Sequence, residues 1–146
     1  MGPIIDGTEV DAGGILGMDR TDVYKGKRVL VVEDDIFIGM DIADAVERVG
    51  GIVYGPVTDR DSATKIASFG DIDCAIIDFN LGLRNSVKLA EYCCENDIPC
   101  VCYTGDSKAA RKANMQKFAL VIEKPTKPTL VLEKLAERMQ ATDSSR

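Results

Sequence analysis

From Lys27 onward, short unbroken apolar runs alternate with longer stretches in which apolar residues return every three or four positions. KRVLVV at 27–32 is β-branched and leucine-rich with no polar break, the pattern of a parallel strand covered on both faces. Behind it Ile38, Ile42, Val46 and Val49 recur at helical spacing, and Gly50-Gly51 closes that helix because glycine accepts backbone angles that other residues resist. The pair then repeats. IVYGPV reads as a second strand, and DRDSATKIASF as a helix whose buried side is expected to be Ala63, Ile66, Ala67 and Phe69. CAIIDF is a third strand, followed by a loop NLGLRN and a helix SVKLAEYCCEN; PCVCYT precedes a weaker helix around SKAARKANMQKF; ALVIE precedes a last helix from TLVLEKLAERM. Five βα units predict an α/β fold, (βα)5, with an open five-stranded parallel sheet and helices on both faces, since each crossover is right-handed and each strand is apolar on both sides. Five units are too few for a barrel of eight.

Residues 1–26 hold six of the thirteen glycines and no sustained period, so they read as an N-terminal extension, flexible or packed on the domain by a few apolar residues. The domain proper is expected at 27–142 and a tail at 143–146. A chain of 146 residues, 45% hydrophobic, supports one core and not a second full domain. With 18 basic and 24 acidic residues the formal charge is -6, which argues against holding nucleic acid or anionic membrane by the overall field. The balance is uneven, and Lys108, Arg111, Lys112 and Lys117 either favour an acidic partner or solvate the outside of a helix. Neither a membrane-length apolar run nor a basic, apolar secretion signal at the start is present, so a cytoplasmic location is expected. The five cysteines, without C-x-x-C spacing, read as reduced thiols packed as small hydrophobes. The absence of histidine excludes hydrolases that depend on imidazole and removes the commonest zinc ligand.

In open parallel sheets, sites form beyond the carboxyl ends of the strands. Here the first strand ends in Glu33-Asp34, the third in Asp78 with Asn80 behind it, the fourth in Thr104-Gly105 and the fifth in Glu123-Lys124-Pro125. Several carboxylates held together repel one another unless a cation compensates, so Glu33, Asp34 and Asp78 point to a hard ion. Magnesium fits best, with manganese as a substitute: Asp34 and Asp78 bind directly, Glu33 through water and Asn80 by its main-chain oxygen. An acidic surface cluster without metal is the plainer alternative. Lys124, held before a proline, suits a phosphoryl oxygen, and Thr104 can donate its hydroxyl hydrogen to another.

The segments VLVVEDD, AIIDFN, CYTG and VIEKP resemble the receiver domain of two-component response regulators over about residues 27–142. The resemblance implies the strand order 2-1-3-4-5, Glu33 and Asp34 in a metal pocket, Asp78 as phosphoacceptor, Asn80 as the carbonyl ligand, Thr104 as the switch hydroxyl and Lys124 as the partner cation. It implies transfer of a phosphoryl group from the phosphohistidine of a sensor histidine kinase or histidine phosphotransfer protein, a self-catalysed step that is reversed by hydrolysis. The chain lacks histidine, so a separate protein must supply the donor. DFNLG and PCVCYTG further resemble a receiver subgroup, rich in single-domain regulators, with a Phe-Ala-Thr-Gly-aromatic signature.

Three positions set this chain apart. Val121 stands where receivers usually keep an aromatic residue, so the switch must work differently; Tyr103 is a candidate substitute, although strand alternation points it away from Thr104 towards packing beneath a helix. Asp106 falls, by resemblance, near the path of the hydrolytic water. The chain ends soon after Lys124, so output is expected by contact with a downstream protein or a second copy, without direct DNA or membrane binding. A phosphorylation-independent interaction module is the main rival. A phosphohydrolase with an aspartyl-phosphate would place a second acid where Asn80 stands, and no nucleotide-binding GxxxxGK[ST] or GxGxxG is present.

Overall fold

The computed structural model describes residues 20–144. Strands β1 (Arg28–Val32), β2 (Ile52–Val57), β3 (Cys74–Ile77), β4 (Cys100–Thr104) and β5 (Leu120–Glu123) form one sheet in the order β2-β1-β3-β4-β5. All its pairings are parallel, with Val29 opposite Val53 and Cys74, Ala75 opposite Cys100 and Val101 opposite Leu120. The expected fold and strand order are therefore those of the structure.

Five helices connect or follow the strands: α1 (Ile36–Arg48), α2 (Arg60–Ser68), α3 (Val87–Glu95), α4 (Ser107–Lys112) and α5 (Pro128–Ser144). The alternation along β1 explains the two layers. Leu30 and Val32 face a core shared with Ala63 and Ala67 of α2, Leu89 and Cys93 of α3 and Ala110 of α4. Val29 and Val31 face the opposite core, with Ile42 and Val46 of α1 and Leu132 and Leu135 of α5. Each strand side chain thus meets an apolar layer, which is why no polar residue interrupts the run.

Several local expectations are corrected. Phe69 is 84% exposed, because the buried face of α2 set by Ala63, Ile66 and Ala67 returns at residue 70, a glycine, while Phe69 falls at the helix end, off that face. The segment read as a loop after β3 is a small antiparallel hairpin in which Asn80 pairs with Asn85 and Leu81 with Arg84. Gly82 supplies the positive φ of its turn, 69°, and Leu83 stands at the exposed tip. The weak helix of the fourth unit breaks after Lys112: Asn114 takes a left-handed conformation and a 3-10 turn covers Met115–Lys117. The last helix runs beyond Met139 to Ser144.

Within the segment read as an extension, Arg20–Tyr24 is a 3-10 helix, and the Tyr24 ring is fully buried against α5 with its hydroxyl donating to the Leu132 carbonyl. The rest of that expectation, residues 1–19, and the end of the tail at 145–146 lie outside the described residues. No described helix is long and apolar enough to cross a membrane.

Candidate functional site

The three consecutive acids after β1 have three different surroundings. Glu33 continues the strand, donating its N–H to the Val57 carbonyl at 2.9 Å, and its side chain turns inward to 2% exposure. Asp34 remains exposed, yet one of its oxygens lies with oxygens of Glu33 and Asp78 in a cluster whose members are all within 4.8 Å of one another. Asp35 caps α1, accepting from the N–H groups of Phe37 at 3.0 Å and Ile38 at 3.3 Å, while its own N–H donates to Glu33 Oε2 at 3.1 Å. Helix α1 reaches this corner because residue 39 is glycine: a Cβ there would stand 2.8 Å from Pro56 Cβ and 3.6 Å from Glu33 Cβ.

Asp78 prolongs β3, its N–H donating to the Val32 carbonyl at 2.9 Å, and is buried. Across the sheet the Lys124 N–H donates to the Thr104 carbonyl at 2.8 Å, which holds the ends of β4 and β5 together. The Lys124 ammonium crosses over β4 to reach Glu33 Oε1 at 2.8 Å and Asp78 Oδ2 at 3.3 Å. The lysine thus pairs with two members of a cluster of three carboxylates. Burial pushes Glu33 up to about 7, with the neighbouring Asp78 adding to the rise and the hydrogen bonds from Lys124 and the Asp35 N–H opposing it. For Lys124, burial favours the neutral amine, but the hydrogen bond to Glu33 and the charges of Asp78 and Glu33 outweigh it, and its pKa is raised. The donor set fits a hard divalent cation: it is all oxygen, held together, and short of positive charge.

Thr104 is fully buried at the end of β4, with Oγ1 accepting from the Asp106 N–H at 3.0 Å. Asp106 is exposed and caps α4, accepting from the Ala109 N–H at 3.3 Å. Asn80 is exposed at the start of the hairpin, where pairing with Asn85 fixes its main chain.

Tyr103 and Val121 lie on opposite faces of the sheet. Val121 is buried in the core shared with α3 and α4; Tyr103 packs against the α1 and α5 layer, as alternation predicts. The Tyr103 hydroxyl donates to the Thr126 carbonyl at 2.8 Å and accepts from the Thr126 N–H at 3.0 Å, and its ring centroid is 5.6 Å from Lys124 Nζ. Cys74, Cys93, Cys100 and Cys102 are buried and Cys94 exposed. Burial, with the Asp78 charge adding to it, pushes Cys102 up to about 12, and burial likewise holds Cys74 far above the ordinary thiol range, so both pack as neutral side chains.

Sequence reasoning missed Ser86. It is fully buried, its hydroxyl donates to the Asp78 carbonyl at 2.6 Å, and its N–H donates to the Phe79 carbonyl at 2.9 Å. The signal was the Leu81-Gly82-Leu83 turn, which brings a residue eight positions away back to Asp78.

No family model matches the sequence, and no curated protein does. Solved structures do match. A CheY-like response regulator receiver domain protein from Methanospirillum hungatei aligns with a TM-score of 0.72 and 21% identity, over 84% of this chain and 100% of that one. A receiver domain protein from Clostridium thermocellum aligns with a TM-score of 0.71 and 17% identity, over 82% of this chain and 99% of that one. A response regulator from Burkholderia pseudomallei, solved with a phosphorylated aspartic acid, calcium ion and citrate, aligns with a TM-score of 0.66 and 23% identity, over 82% and 74%. The sheet order, the two helical layers and these alignments together establish that the chain has the fold of the CheY-like response regulator receivers.

Proposed function

We propose that this protein is a phosphorylation-controlled signalling receiver in which Asp78 accepts a phosphoryl group from the phosphohistidine of a sensor histidine kinase or histidine phosphotransfer protein. The observation that carries the proposal is the Lys124 ammonium lying within 2.8 Å of Glu33 and 3.3 Å of Asp78, at the edge of a three-carboxylate cluster. A cation so placed can follow the charge that develops on the transferring oxygens.

Asp34 and Asp78, with Glu33 through water and the Asn80 main-chain oxygen, would hold magnesium or manganese. When bound, the ion supplies the positive charge that three carboxylates and a phosphoryl group need beyond one lysine. Asp78 Oδ attacks phosphorus as the P–N bond to the donor imidazole breaks; the imidazole keeps that electron pair and takes up a proton. The Thr104 hydroxyl then donates to a phosphoryl oxygen. Water later attacks phosphorus, the P–O bond to Asp78 breaks, and the carboxylate and inorganic phosphate are released.

Output is by protein contact. The loops beyond β3 and β4 rearrange, and the face formed by β4, α4, β5 and α5 docks a downstream protein or a second copy, with the exposed Lys108, Arg111, Lys112 and Lys117 favouring an acidic one. The experiment is incubation with acetyl phosphate and magnesium followed by intact-protein mass measurement. Gain of one phosphoryl group, lost on chelation and in Asp78→Asn, is the expected result. Val121 in place of an aromatic residue favours a rival, a phosphorylation-independent interaction module on the same fold, and wild-type protein that never labels would favour it.

A further inference from the structure

Serine immediately before a helix ordinarily turns its oxygen inward to accept from the N–H groups of the first turn. Ser86 stands at that position ahead of α3 and makes no such bond. The cap is supplied instead by Asn85, whose Oδ1 accepts from the Val87 N–H at 3.1 Å. Relieved of capping, the Ser86 hydroxyl donates to the Asp78 carbonyl at 2.6 Å, and the Ser86 N–H donates to the next carbonyl, that of Phe79, at 2.9 Å. Two adjacent peptide units of the acceptor segment are thereby bonded to one fully buried residue.

The hairpin between Phe79 and Ser86 is closed by its own pairs and held to α2 from outside. Arg84 forms an ion pair with Asp61 at 3.1 Å, and the Arg60 guanidinium donates to the Asn85 carbonyl at 3.4 Å. Those contacts are exposed and weak. The bonds made by Ser86 are the interior ones, and they act on the peptide units that orient the Asp78 side chain and lead into the Asn80 carbonyl.

We propose that Ser86 is a positioning residue for the acceptor site: its hydroxyl sets the Asp78 main chain so that the Asp78 carboxylate and the Asn80 carbonyl converge on one divalent cation. The inference rests on the reading of Asp78 as acceptor and adds a residue to it. Removing the hydroxyl frees the Asp78 carbonyl to rotate. Cation binding, which needs two groups from this segment at once, then loses affinity, while the fold loses only one hydrogen bond.

The test compares wild type, Ser86→Ala, Ser86→Thr and a capping control, Asp59→Ala, whose carboxylate accepts from the Ser62 N–H at 2.9 Å at the start of α2, on residues given no part in the site. Manganese affinity is measured by electron paramagnetic resonance, acetyl phosphate labelling by mass, and stability by urea melts. In Ser86→Ala manganese binding should weaken roughly tenfold, as for other residues that orient metal ligands, with a parallel fall in labelling rate. Ser86→Thr, which keeps the hydroxyl, should recover both, and Asp59→Ala should lose stability with affinity unchanged. If Ser86→Ala does not fold, Ser86→Cys takes its place as a near-isosteric variant with a weak donor. Unchanged manganese affinity in folded Ser86→Ala, or in Ser86→Cys where that takes its place, overturns the proposal. A wild type that binds manganese tightly, loses it in the Ser86 variant and never labels would instead overturn the phosphoacceptor reading and leave the positioning role standing.

Discussion

The two ends of β3 each carry an aspartate, and their surroundings differ. At the amino end, half-buried Asp73 accepts from the Arg28 N–H at 2.8 Å, and the Arg28 guanidinium turns aside to the Asp71 carbonyl at 3.4 Å. At the carboxyl end, buried Asp78 has a lysine at 3.3 Å and two further carboxylates beside it. At the first end a backbone N–H from the neighbouring strand satisfies a lone carboxylate, while at the second Asp78 shares a buried corner with the carboxylates of Glu33 and Asp34, whose mutual repulsion needs positive charge nearby. The Asp73 end is therefore quiet, and the Asp78 end requires cations. Residue type and strand are the same at both; what differs is the company each carboxylate keeps, a backbone N–H at one end and two carboxylates with an ammonium at the other.

The largest test of that contrast exchanges each acid for its amide. Asp78→Asn should abolish acetyl phosphate labelling, whereas Asp73→Asn should label at the wild-type rate and lose on the order of 1 kcal/mol in a urea melt, because the amide oxygen still accepts from the Arg28 N–H but without the charge. Equal loss of labelling in both variants would break the comparison. Next, Lys124→Met should slow labelling by about 10²-fold, the scale on which a group that stabilises developing charge acts. It should also leave Glu33 and Asp78 without their cation, so the variant should be less stable at pH 8 than at pH 6, and magnesium should restore much of that loss.

A smaller effect is expected from pH alone. Glu33 is raised in the fold from the ordinary 4.5 to about 7, so the folded state binds more protons than the unfolded state between those values. Its contribution to stability is fully present below 4.5 and is lost as pH rises through about 7, by an amount on the order of 3 kcal/mol. Urea melts of the metal-free protein across this window should show the decline on that account, and magnesium, which competes with the proton for the same carboxylate, should bind more tightly at pH 8 than at pH 6. A metal-free protein whose stability rises steadily over that interval would show that Glu33 is ionised throughout.

Two finer substitutions sharpen the picture at the carboxyl end. Asp106→Asn keeps a residue able to cap α4 and should change the lifetime of phosphorylated Asp78 several-fold with little change in stability, as followed by the decay of the mass-shifted species. An unchanged decay would remove Asp106 from the water path. Tyr103→Phe keeps the ring beside Lys124 and removes both hydrogen bonds to Thr126, so it should cost about 1 kcal/mol while leaving the labelling rate near wild type.

The legible parts of this protein were those with a local or periodic cause. The apolar runs of β1, β3 and β4 and the 3-to-4 spacing of Ile38, Ile42 and Val46 follow from two-sided burial and helical geometry, so the alternation of elements and their layers could be read directly. Phe69 misled because apolar character was counted without its angle on the helix. The hairpin at 80–85 was hidden by its length, since two-residue strands leave no period to detect.

By itself, the sequence determined a five-unit α/β sheet and the identity of the polar residues after each strand, because both are properties of short segments. Only the tertiary structure decided that Lys124 spans β4 to meet Glu33, that Tyr103 and Val121 lie on opposite faces, and that Ser86 bonds to the Asp78 carbonyl instead of its own helix. Those contacts depend on the register between strands and on the path of a closed loop, quantities set by the packing of the whole core and by no single stretch of chain.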